Sequence, residues 1–131
     1  MPASNYVQRL TLDGWLRGQS VTFPPGGYIA LYTTNPTAAD SGTEVTGGSY
    51  TRMPVQFTAS ISQGNQSAAQ NANKVEFPEA TAPWGRIAYF GIRDAVAGGN
   101  LLYFSPLTTS LDVVTGTAPK FERGAITVTL E

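Results

Sequence analysis

From Tyr28 onward the apolar residues of this chain fall on every second position, in short segments separated by turn residues. Successive side chains of a strand point to opposite faces, so a period of two predicts strands with one buried face and one wet face. Met53, Val55, Phe57, Ala59 and Ile61 alternate with Arg52, Pro54, Gln56, Thr58 and Ser60. The first set is expected inside and the second in water. Pro54 pushes this strand toward an edge or a bulge. Lys74-Val75-Glu76-Phe77 repeats the alternation, and Ile126, Val128 and Leu130 alternate with Thr127 and Thr129. Tyr28 to Thr34 is rich in aromatic and branched residues, as strands are. Arg86 to Asp94 and Asn100 to Ser105 are more apolar, which predicts strands covered on both faces. Ser110 to Val114 and Lys120 to Glu122 complete the series.

About eight strands with short gaps predict a mainly β chain, a single antiparallel β-sandwich of jelly-roll-like type. At 131 residues the chain is expected to form one domain, residues 1–131. Pro24-Pro25-Gly26-Gly27 reads as a turn. Gly47-Gly48-Ser49 and Gly98-Gly99-Asn100 read as hairpin turns that need positive φ. Ser62 to Asn73 is small and polar throughout, and reads as a long surface loop or an arm that orders against a neighbour. Ile29, Leu31, Val55, Phe57, Phe77, Ile87, Phe121, Ile126 and Val128 are the predicted core.

A short helix over about residues 4–17 precedes the strands. Ser4 can cap it and Gly18 can end it in a left-handed turn. Gly14 inside it costs about 1 kcal/mol relative to Ala. Tyr6, Val7 and Leu10 share one side; Leu12, Trp15 and Leu16 lie on another. The first group can cover one end of the sandwich. Leu12, Trp15 and Leu16 then either meet another chain, as an interface, or are wrapped within the subunit.

Charged residues make up only 13% of the chain, about half the usual share. Either a partner covers part of the surface, or Ser, Thr, Asn and Gln keep it wet. The net charge is −1 and the basic residues are scattered, so nucleic acid is not an expected partner. No apolar run approaches a membrane span, and no secretory signal is visible, so synthesis in a cytoplasm is expected. The chain holds no cysteine and no histidine. That removes disulfides, thiolate chemistry, the usual zinc ligands and every imidazole mechanism.

The remaining candidates for chemistry are carboxylates. Asp40 with Glu44, and Glu76 with Glu79, are spaced like pairs, yet two acids near turns read as solvated surface charges. Asp40-Ser41-Gly42-Thr43-Glu44 offers hard oxygen ligands without the dense spacing of a calcium loop. Neither glycine pair carries a phosphate-loop pattern. Asn65-Gln66-Ser67 matches a glycosylation acceptor by composition alone. No catalytic residue, cofactor or metal is expected. Trp84, Tyr89, Phe90, Tyr103 and Phe104 form two aromatic clusters. Adjacent strand residues face opposite ways, so one of each adjacent pair must lie outside the main core, under the helix, under another subunit, or open to a sugar ring.

Three stretches carry a resemblance: Thr43-Glu44-Val45-Thr46-Gly47-Gly48-Ser49-Tyr50-Thr51-Arg52, Tyr28-Ile29-Ala30-Leu31-Tyr32-Thr33-Thr34-Asn35-Pro36-Thr37, and Gly98 to Tyr103 followed by Pro106-Leu107-Thr108-Thr109. The opening Met1-Pro2-Ala3-Ser4-Asn5-Tyr6 and the ending Ile126 to Glu131 extend it. Together they resemble small virion structural proteins of tailed double-stranded DNA bacteriophages, of head-decoration (cement) or tail-fibre-like type. The resemblance implies a non-enzymatic virion component, assembled in the host bacterial cytoplasm. Compactness and the missing repetitive shaft favour a decoration protein bound to the major capsid protein or other virion proteins. The alternative is a tail-fibre or adhesin component that binds host surface glycans. A homo-oligomer, dimer or trimer, is expected on the particle.

Overall fold

The computed structural model describes residues 1–25 and 27–130. Gly26, within the expected Pro24–Gly27 turn, and Glu131 lie outside the described residues. Helix α1 runs Asn5–Arg17. Ser4 caps it, with Oγ accepting from the Val7 N–H at 3.3 Å, and Gly18 ends it at φ 64°. Its N-terminal end is anchored twice: the Ser4 N–H donates to the Leu102 carbonyl at 2.9 Å, and the Asn5 N–H to the Ala38 carbonyl at 2.7 Å. Gly14 has a packing reason. Val21 of the returning chain lies 2.9 Å from where a Cβ would stand.

Among the described residues nine strands follow: β1 Tyr28–Tyr32, β2 Met53–Pro54, β3 Ile61–Gln63, β4 Gln66–Gln70, β5 Val75–Glu76, β6 Gly85–Arg93, β7 Leu101–Val113, β8 Lys120–Phe121 and β9 Thr127–Leu130. All pairs are antiparallel. They form a four-stranded sheet β2-β1-β6-β7, a three-stranded sheet β3-β4-β9 and a two-stranded sheet β5-β8. The chain is mainly β with one short N-terminal helix, and the layering is compatible with a sandwich.

One core takes side chains from all three sheets, among them Ile29 and Leu31 of β1, Ile87 and Ile92 of β6, Val75 of β5 and Val128 of β9. Of the expected core, Ile29, Leu31, Val55, Phe77, Ile87 and Ile126 are buried; Phe57, Phe121 and Val128 are half-buried against it. The opposite face of the four-stranded sheet holds Ala30, Tyr32, Leu101 and Phe104, with Tyr89 and Ala38 beside them. Alternation therefore holds in both aromatic pairs: Phe90 and Tyr103 belong to the main core, Tyr89 and Phe104 to the second cluster.

Three expectations need correction. The alternation from Met53 does not persist as a strand. Pairing with β1 ends at Pro54, and Ala59 and Ile61 are exposed. Ser62–Asn73 is no loop. Gly64 at φ 61° turns β3 into β4, and Asn71 is buried with its amide satisfied by Asn73, Glu122 and Ile126. The segments expected at 100–105 and 110–114 are one strand, β7, in which residues 107–110 loop out opposite Ala88. Pro106 has no N–H to give the ladder, which fits a break there.

Candidate functional site

The residues named as a possible interface, Leu12, Trp15 and Leu16, are not wrapped within the chain. Trp15 is 81% exposed and Leu16 77%. Tyr6 and Val7, one side round the helix, pack against the core. The returning chain at 18–25 closes over Gly14 rather than over Trp15, because only a glycine there admits Val21 so closely. Phe23 on that returning segment is also more than half exposed and adds to the apolar surface. Sequence reasoning missed Phe23; a large apolar residue between turn segments was the available signal.

Beside this surface lies an apolar cleft of about 280 Å³. Val7, Phe57, Ile92, Tyr103 and Val128 line it, and Phe23 forms part of its rim. Phe23 also borders the shallow groove that contains Gly14, Trp15 and Val21. The register shift between Ile92 and Arg93 leaves Leu102 unpaired on β7. That bulge turns Leu102 and Tyr103 toward the same cleft. Burial pushes the Tyr103 hydroxyl pKa up.

The carboxylates Asp40 and Glu44 do not form a pair with each other. Each is held by an arginine. Arg52 Nε and Nη2 donate to Glu44 at 2.8 Å each, and Tyr50 donates to the same carboxylate at 2.7 Å. Arg93 Nη1 and Nη2 donate to Asp40 at 2.8 and 2.9 Å, and Nη1 also donates to the Tyr32 hydroxyl at 2.9 Å. Both also donate to carbonyls of the β6–β7 turn: Arg52 to Ala95 and Gly98, Arg93 to Gly99, while the buried Arg93 Nε–H has no partner among the described residues. This corrects the reading of Glu44 as a solvated charge and of Arg52 as a wet-face residue, whereas Asp40 is paired but stays exposed. A guanidinium leaves water only where carboxylate and carbonyl acceptors replace it. Burial pushes the Glu44 carboxyl up, but the bonds from Arg52 and Tyr50 outweigh it and hold the group below its ordinary value. Arg93 invited this inference from sequence, since a charge ending a strand apolar on both faces must be paired. The identity of its partner was not visible there.

Glu76 and Glu79 stay on the surface, Glu76 beside Lys74 at 3.7 Å. Among the described residues no three metal-ligating side chains gather. Trp84, Phe90 and Phe104 are buried. Trp84 packs edge-on to Tyr50, with ring centres 5.4 Å apart, and donates its indole N–H to the Gly48 carbonyl at 2.9 Å. The exposed aromatics are instead Trp15 and Phe23.

No curated protein matches the chain. The family model described as podophage GP4 fiber I protein gp80 matches residues 2–129, so the chain belongs to that family and is a structural component of a phage virion.

Proposed function

We propose that this protein is a non-enzymatic building block of a phage tail fibre, assembled from several copies and joined to other virion proteins through apolar surface. The observation that carries the proposal is the family match over residues 2–129, whose description speaks of a fibre protein. The head-decoration reading drew on compactness and the missing shaft. Both fit a short fibre component equally well.

The chemistry is consistent with a structural role. The chain has no histidine or cysteine, and Asp40 and Glu44 are engaged by arginines. Glycan stacking on Trp84, Phe90 or Phe104 does not form part of the proposal, because those rings are buried. Gold-labelled antibody against the purified chain, imaged on intact particles by electron microscopy, tests the assignment. Label at the tail is the expected result. Label spread over the head would return the decoration reading.

A further inference from the structure

We infer that a second copy of this chain covers the apolar helix face, each copy seating its Trp15 in the other's cleft. This rests on the reading that the fibre is built from several copies. Trp15 stands on a capped helix with its ring in water, so it is a preformed knob. An aromatic side chain presents about 150–250 Å², so Trp15 and Phe23 alone leave on the order of 300 Å² of apolar surface exposed. Leu12 and Leu16 are exposed beside them, and patches of this size are often interaction sites.

The cleft is the matching hole. A dry apolar cavity of about 150 Å³ takes up benzene. At about 280 Å³, this one has room for the two fused rings of an indole. Among its lining residues only Tyr103 carries a polar side-chain group, its hydroxyl. A buried indole N–H needs an acceptor, and Tyr103 offers one.

Position allows a closed pair. Phe23 borders both the groove holding Trp15 and the cleft. A surface that carries knob and hole side by side is complementary to itself under a two-fold rotation, with Phe23 near the axis. Charge does not oppose the contact. The net charge is −1, and on the helix Asp13 and Arg17 lie 3.8 Å apart and offset each other.

The test uses the full chain. Light scattering across a dilution series should give a dimer, with tryptophan emission shifting to the blue as it forms. Trp84 is already buried, so that shift reports Trp15. Trp15→Ala should weaken dimerisation about thirty-fold or more, as a central tryptophan anchor does, with the melting temperature of the monomer unchanged. Ala69 also lines the cleft, so Ala69→Leu, which fills it while keeping Trp15, should do the same. Tyr103→Phe should weaken it several-fold, the worth of one hydrogen bond. The chain has no cysteine, so Phe23→Cys should oxidise to a covalent dimer, while Thr115→Cys, in the turn that follows β7, should not. A chain monomeric at every concentration, a trimer, or a dimer that survives both Trp15→Ala and Ala69→Leu overturns the inference. A monomer in solution with antibody label at the tail sinks this inference alone. A Trp15-dependent dimer with label on the head sinks the fibre assignment alone.

Discussion

Glu44 and Arg52 face each other across the Gly47-Gly48 turn, joined by two hydrogen bonds of 2.8 Å. The pair ties three parts of the chain together. Tyr50 bonds Glu44 and also accepts from the Leu31 N–H of β1 at 3.0 Å. Arg52 Nη1 reaches the carbonyls of Ala95 and Gly98 at 2.9 and 2.7 Å. Arg93 with Asp40 holds the same turn from the other side. The most recognisable stretch of the sequence is therefore a structural clamp.

Glu44→Gln should destabilise the protein by on the order of 3 kcal/mol, the low end for breaking a buried pair, because Glu44 keeps some contact with water. Urea unfolding measures this. A loss under about 1 kcal/mol, typical of surface pairs, would show that the clamp contributes little.

Acid should weaken the fold in a defined window. Glu44 lies below its ordinary value of 4.5. Asp94 lies below its ordinary 3.8, because bonds from Asn100 outweigh the upward push of burial. A carboxyl depressed in the folded state adds stability above its unfolded pKa and loses it as pH falls through the folded one. Stability should be flat above about pH 5 and decline below about pH 4.5 as these groups protonate. Glu44→Gln should give a shallower decline. Urea midpoints between pH 2 and 7 decide the matter, and parallel curves for the two proteins would rule Glu44 out as a contributor.

Gly47 and Gly48 separate two effects of the same substitution. Both have positive φ, 77° and 57°. A Cβ on Gly47 meets open space, whereas on Gly48 it would stand 2.7 Å from Trp84 Nε1 and 2.8 Å from the Ala82 carbonyl. Gly47→Ala should cost only the left-handed backbone term, about 1–2 kcal/mol. Gly48→Ala should cost clearly more and disturb Trp84 fluorescence. Equal losses would mean that the turn relaxes freely.

Phe77→Ala should cost about 3–5 kcal/mol, as for a fully buried ring. Phe57→Ala should cost less, since Phe57 lines the open cleft. Thermal unfolding of the two variants ranks them, and a reversed order would contradict the assigned faces.

The sequence by itself determined the features that depend on near neighbours. Ser4 and Gly18 bound α1 because a cap is satisfied within a turn of the helix. The paired glycines turn where positive φ is needed, and Ile29, Leu31 and Ile87 face inward because the period of two is a property of the strand itself.

Only the tertiary structure decided what depends on distant partners. Arg52 and Gln56 carry the same alternation signal, yet Arg52 is buried because Glu44, Ala95 and Gly98 converge on it, and Gln56 stays in water. Asn71 sits in a stretch whose composition reads as loop, and is buried because Glu122 and Ile126 supply its hydrogen bonds from 51 and 55 residues away. Trp15 was equally compatible with being covered or open. The path of residues 18–25 settled it: Val21 packs onto Gly14, and that route leaves the indole in water. Local pattern states which side chains need burial or pairing, whereas the packing of separate segments determines which of them obtain it.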